Sequence, residues 1–154
     1  MATSNKSSAT EPRTLFIALG NPLRRDDGVA QHVLAQIPSG SQRAFLQLTP
    51  ELAPTLAEFD IVIFIDADIN AQQPTIQPVI ETRTQPSLTH SQDPGAIVAL
   101  ATQLYGFKGR ALLCRIPAQD FSPGEGLSTT AANAVPEATR LLTSIADRSF
   151  LSES

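Results

Sequence analysis

The sequence predicts an α/β protein, a three-layer α/β/α sandwich with a mostly parallel, about five-stranded sheet. Strand-like apolar runs alternate with helical patterns, as in chains where parallel strands are joined by helical crossovers. The run Ile61-Val62-Ile63-Phe64-Ile65 is apolar at every position, which marks a strand covered on both faces rather than on one. Between the runs stand helix-start and helix-stop signals, among them Thr49-Pro50, Asp93-Pro94 and Gly106.

Residues 1–13 are Ser- and Thr-rich without periodicity and read as a disordered tail. The first strand spans Thr14 to Leu19. After a Gly20-Asn21-Pro22 turn, Val29, Val33, Leu34 and Ile37 recur at helical spacing, so Asp27 to Ile37 is expected to be an amphipathic helix stopped by Pro38 and Gly40. Arg43 to Leu48 is a short second strand. Thr49 and Pro50 supply an N-cap and a first helical residue for a short helix ending near Phe59. Asp60 to Asp66 is the central strand, and Thr75 to Thr82 a further one. Asp93-Pro94 opens a helix carrying Ile97, Leu100, Ala101 and Leu104 and ending near Gly106. Ala111 to Ile116 is the last strand. Ser128 caps a final helix to about Ala146, with Pro136 a kink or break and residues 147–154 a tail.

In a chain of 154 residues, the segment 14–146 is read as a single domain. With 42% hydrophobic and 17% charged residues the chain is too apolar for disorder. Its net charge of -4 argues against nonspecific binding to nucleic acid or to an anionic membrane. One cysteine, Cys114, makes no internal disulfide. The polar N-terminus lacks the apolar core of a secretory signal, and no apolar run approaches a membrane span, so the expected location is the cytoplasm.

The polar residues expected beyond the carboxyl ends of the strands carry the chemistry. Asp27 follows the first strand, Asp66 tips the central one, and His90 lies in the loop before the Asp93 helix. Two carboxylates and an imidazole make an O/O/N ligand set suited to a divalent metal such as nickel or zinc, with positions left open for a substrate. Each also has a structural reading. Asp26 and Asp27 suit helix capping, Asp66 a strand-end bond to backbone N–H groups, and His90 simple exposure. His32 falls on the solvent side of its helix, and Cys114 is an inert core thiol. Two adjacent carboxylates at a helix start oppose phosphate binding, which disfavours a nucleotide-binding domain. Phosphate-loop, Cys-x-x-Cys and His-Glu-x-x-His patterns are absent, and the dinucleotide fingerprint lacks two of its glycines. Gly126-Leu127-Ser128-Thr129-Thr130 only half matches a nucleophile elbow, and Ser128 is better explained as a cap.

Together, Gly20-Asn21-Pro22-Leu23 and Asp26-Asp27-Gly28-Val29 resemble the signature of the [NiFe]-hydrogenase maturation endopeptidases. Further blocks agree in order: Thr49-Pro50-Glu51-Leu52 leading to Val62-Ile63-Phe64-Ile65-Asp66-Ala67, His90 ahead of the Leu100 to Gly106 helix end, and Gly124-Glu125-Gly126-Leu127-Ser128 followed by Ala134-Val135-Pro136-Glu137. The similarity covers Thr14 to Leu142. It implies a peptide hydrolase that removes the C-terminal extension of a hydrogenase large-subunit precursor after nickel insertion. It also implies a five-stranded sheet between helices, and Asp27, Asp66 and His90 as the catalytic, metal-contacting residues. The nickel would come with the precursor, and a monomer would suffice. Asp26 is left as the cap. Ala18, Arg25 and Ala30 depart from the family pattern without touching these residues. The alternative is a noncatalytic nickel-dependent module that binds the large subunit without cutting it.

Overall fold

The computed structural model describes residues 12–81 and 93–153. Five strands form one sheet in the order β2-β1-β3-β5-β4. They are β1 (Thr14–Leu19), β2 (Ser41–Phe45), β3 (Ile61–Asp68), β4 (Thr75–Pro78) and β5 (Arg110–Pro117). Only β4 runs antiparallel, against β5. The all-apolar run expected to be central lies in the middle strand, β3, paired in parallel with β1 and β5.

Alternation along the strands divides the core into two layers. Phe16, Ala18, Ile63 and Ile65 face α1 (Val29–Gln36) and the last helix, whose Ala131, Ala134, Ala138 and Leu142 are buried against them. Leu15, Ile17, Val62 and Phe64 face the opposite way, onto α2 (Ala53–Leu56) and α3 (Pro94–Tyr105) through Leu56, Ile97, Val98 and Ala101. Both faces of β1 and β3 are therefore dry, which is why neither strand shows polar alternation.

Where element bounds differ from the sequence reading, the cause is local. The helix expected from Asp27 begins as a 3-10 turn, Arg25–Gly28, and becomes α-helical only at Val29. Expected at Arg43 to Leu48, β2 sits earlier, because it pairs with β1 from Leu15↔Ser41 to Leu19↔Phe45. The Gly20 N–H closes that ladder on the Phe45 carbonyl, and β1 has no residue left to pair with Leu46. Thr49 and Pro50 do open a helical stretch, a 3-10 turn running into α2, but the Thr49 hydroxyl donates to Glu51 Oε1 instead of capping. β4 runs only to Pro78, with the Val79 N–H still donating to Ala111 O at 2.9 Å, and Thr82 lies outside the described residues.

Helix α3 starts and stops as read from sequence. The Asp93 carboxylate accepts the Gly95 N–H at 2.9 Å, and Gly106 closes the helix in the left-handed region at φ 71°. The last helix, α4 (Thr129–Glu153), is longer than expected: it passes Ala146, and residues 147–153 continue it instead of forming a tail. It also continues through Pro136, which is exposed. The carbonyl that this proline leaves without a helical donor belongs to Ala132, also on the exposed side and so open to solvent.

The end of the sheet to which the parallel strands point is locked by one side chain. Asp26 is fully buried. It is not the cap of its own helix, as the sequence suggested, since neither the 3-10 turn nor α1 has a side-chain cap bond. Its carboxylate reaches across the fold to accept the N–H groups of Gln119 at 2.7 Å, Asp120 at 3.0 Å and Ser128 at 2.7 Å, and the Ser128 hydroxyl at 2.6 Å. Ser128 in turn caps α4, its Oγ accepting the Ala131 N–H at 3.2 Å. Around this clamp the Arg25 N–H donates to Gly124 O at 2.9 Å, the Asp26 N–H to Asp120 O at 2.9 Å, and the Gly124 N–H to Leu23 O at 2.8 Å. Arg25 is held at φ 46°, a left-handed conformation costing about 1 kcal/mol for a residue with a Cβ.

Burial pushes the Asp26 carboxyl upward, but the bonds from Ser128, Gln119 and Asp120 outweigh it and hold the group below the ordinary aspartate value of 3.8. A lowered carboxyl stabilises the fold above the unfolded value, and that contribution disappears as pH falls through the lower folded value. Asp26→Ala, which leaves several buried donors without an acceptor, is expected to cost about 3–4 kcal/mol of unfolding free energy at pH 7. In denaturant titrations the difference from the wild type should shrink below about pH 4.

Candidate active site

Gly20 ends β1 at φ 127°, and a Cβ there would overlap the backbone carbonyl oxygen of Asp27. The absence of a side chain thus lets the 3-10 turn fold back against the strand end. Gly28 does the same on the other side, where a Cβ would come within 2.6 Å of Pro22 Cα. Between them the Asn21 N–H donates to Asp27 Oδ2 at 2.9 Å, and Asn21 Oδ1 accepts the Leu23 N–H at 2.9 Å. The tight turn read from Gly20-Asn21-Pro22 is therefore a cradle for one oxygen of Asp27.

Asp66 reaches the same place from the central strand. It continues the register of Val62 and Phe64, so its side chain emerges just beyond the α2/α3 side of the core. Its Oδ1 accepts the Ala67 N–H at 2.9 Å. Asp27 and Asp66 line a single cavity of about 250 Å³, together with Leu19, Gly20, Leu46, Leu48 and Phe121. Burial pushes the Asp66 carboxyl up to about 6; the charges of Asp27 and Asp68 act in the same direction, while the Ala67 N–H and Arg115 oppose them.

Of the three residues singled out by sequence, the fold brings Asp27 and Asp66 together, and His90 lies outside the described residues. Among the described residues no three His, Cys, Asp or Glu side chains come together as a metal site, so this part of the chain contributes two carboxylates as oxygen donors. His32 is exposed, as expected. Burial pushes the Cys114 thiol up to about 12, leaving it inert.

Sequence reasoning missed the Asp26 clamp and the walls supplied by Leu46 and Phe121. The available signal was positional: both follow strands that end at this rim. A larger cavity, about 360 Å³, lies at the other end of β5, between Pro78, Val98, Phe107 and Arg110. It contains no pair of carboxylates. The smaller cavity lies beyond the carboxyl ends of parallel strands and brings two carboxylates together in a mostly polar lining, so it is the candidate site.

The raised Asp66 value has a stability consequence. Between about pH 4 and 6 the native state binds a proton that the unfolded chain has released, so this carboxylate lowers stability as pH rises through that window, and the loss is complete above it. Asp66→Asn is therefore expected to raise stability by about 2 kcal/mol at pH 7.5, with the gain vanishing toward pH 4. Thermal melts of both proteins across pH 4–8 measure this directly.

No family model and no curated protein matches the chain, but solved structures do. Hydrogenase maturating endopeptidase HybD from E. coli superposes with a TM-score of 0.69 and 17% identity, over 89% of this chain and 93% of that one. The [NiFe] hydrogenase maturation protease HybD from Thermococcus kodakarensis gives 0.65 and 19%, over 87% and 99%. HycI, a [NiFe] hydrogenase maturation protease from the same organism, gives 0.64 and 17%, over 94% and 99%. The five-stranded, mostly parallel sandwich of this chain is the fold of those solved proteases.

Proposed function

We propose that this protein is an endopeptidase that removes the C-terminal extension of a [NiFe]-hydrogenase large-subunit precursor after nickel insertion, reading the nickel through Asp27, Asp66 and His90. The observation that carries the reading is that Asp27 and Asp66, distant in sequence, line one cavity at the strand ends. The names of the solved proteins sharing the fold supply the reaction class. His90 enters this reading from the family resemblance alone, since it lies outside the described residues.

In this reading the nickel belongs to the substrate. Two half-buried carboxylates attract a cation strongly and offer nothing to an empty precursor, which gives the discrimination between loaded and empty forms. Asp66, with a carboxyl near 6, has the proton affinity of a general base working near neutrality. It takes a proton from water as the oxygen adds to the scissile carbonyl carbon. The C–N bond then breaks, and the proton passes to the departing amine nitrogen. Asp27, fixed by the Asn21 N–H, faces the nickel beside Asp66 in this reading. Among the described residues no helix is long and apolar enough to cross a membrane. A monomer acting in the cytoplasm completes the proposal.

Purified protein incubated with a nickel-loaded precursor is expected to shorten it by the mass of the C-terminal peptide and to leave the nickel-free precursor intact. Asp27→Asn and Asp66→Asn should each slow the cleavage about 100-fold or more, and kcat/KM should fall below about pH 6 as Asp66 takes up its proton. A noncatalytic nickel-dependent module would instead form a complex with the loaded precursor and leave its mass unchanged.

A further inference from the structure

Two carboxylates supply only half of what peptide hydrolysis needs. As water adds to the scissile carbonyl, negative charge gathers on the carbonyl oxygen, and an ionised carboxylate, which only accepts hydrogen bonds, repels it. Among the described residues that line the cavity, one side chain carries a hydrogen-bond donor when both acids are ionised: Gln47. The backbone N–H groups beside the acids are committed. That of Gly20 donates to Phe45 O, that of Asp27 to Arg24 O, and that of Ala67 to Asp66 Oδ1. Gln47 is also held in place. β2 ends at Phe45, whose carbonyl accepts the Gly20 N–H at 3.1 Å, and the next residue, Asn21, donates its N–H to Asp27. The end of β2 and the Asp27 carboxylate are thus fixed to two consecutive residues. On its other side, Leu48 is fully buried in the layer that contains Leu52 and Leu56. Only Leu46 and Gln47 lie between the end of the ladder and that anchor, so the exposed Gln47 belongs to a short span pinned at both ends. A donor placed before the reaction costs no reorganisation during it.

We propose that Gln47 is a further catalytic residue, its Nε2–H donating to the carbonyl oxygen of the scissile bond as that oxygen becomes negative. The proposal rests on the endopeptidase reading of Asp27 and Asp66. Water loses a proton to Asp66 as its oxygen bonds to the carbonyl carbon, and the C=O π pair moves onto the oxygen that Gln47 holds. When that pair returns, the C–N bond breaks and its electrons leave on the nitrogen, which takes the proton from Asp66. Gln47 neither gains nor loses a proton. Its contribution falls on the transition state, because an oxyanion accepts a stronger hydrogen bond than the neutral ground-state carbonyl does.

The test uses the full chain and a nickel-loaded large-subunit precursor, with cleavage followed by mass spectrometry and precursor binding by calorimetry. Gln47→Met keeps the length of the side chain without the donor, and Gln47→Glu keeps its shape with acceptors in the donor's place. Loss of the donor predicts a kcat about 100-fold lower in both variants. In Gln47→Met, KM and precursor binding should stay within about threefold of wild type and the melting curve should not move. A Gln47→Met protein that cleaves at the wild-type kcat, with any loss confined to KM and binding, overturns the catalytic role and leaves the endopeptidase reading intact. A loss of activity that follows a lowered melting temperature also overturns it, making the role of Gln47 structural. Wild-type protein that leaves the loaded precursor uncut overturns the endopeptidase reading, and the role of Gln47 with it.

Discussion

The structure at the carboxyl end of the sheet depends on one buried carboxylate satisfied by the backbone of a distant segment. Asp26 accepts from Gln119, Asp120 and Ser128, and so joins three things that would otherwise move independently: the 3-10 turn after β1, the loop after β5 and the start of α4. A charged acceptor in a dry site stabilises a fold only when donors fill its oxygens, and these donors do. The clamp also explains how Arg25 is held at a positive φ and why the helix after β1 begins late. Asp27, the next residue, inherits its position from this arrangement and from the Gly20 and Gly28 contacts that leave no room for a side chain.

Adjacent acids in the sequence thus have divided roles set by burial and partners. Asp26 is saturated with donors and held in its charged form. Asp66, across the cavity from the turn, has one backbone donor and two like-charged neighbours, and its carboxyl is pushed up to about 6. Such a group is costly to the fold near neutral pH, and a protein keeps costly groups where they act. The cation that would relieve the cost is the one the proposed substrate carries, so binding and stability are linked through the same two side chains.

Much of the fold was legible because local chemistry and tertiary structure agree. The apolar run Ile61 to Ile65 could be placed at the centre of the sheet from its lack of alternation alone, and Asp93-Pro94 with Gly106 bounded α3 because cap and stop signals act within one turn. The misread bounds belong to elements defined by pairing. β2 takes its register from β1 across the sheet, and no feature of Arg43 to Leu48 reveals where that partner ends. In the site, Asp27 and Asp66 were identifiable as strand-end carboxylates, with the family resemblance supplying their roles. The function of Asp26 was not identifiable, since its partners lie 93 to 102 residues away and a carboxylate beside a helix start looks like a cap.

The central claim is that the clamped turn holds Asp27 against Asp66 in one cavity, close enough for each charge to feel the other. Carboxyl-carbon NMR titration of Asp66 in the wild type and in Asp27→Asn tests it most directly. The account predicts an Asp66 midpoint near 6 in the wild type and a lower one once the Asp27 charge is removed, because that charge favours the protonated form. A wild-type midpoint at the ordinary aspartate value, or one that does not move in Asp27→Asn, would contradict the shared site.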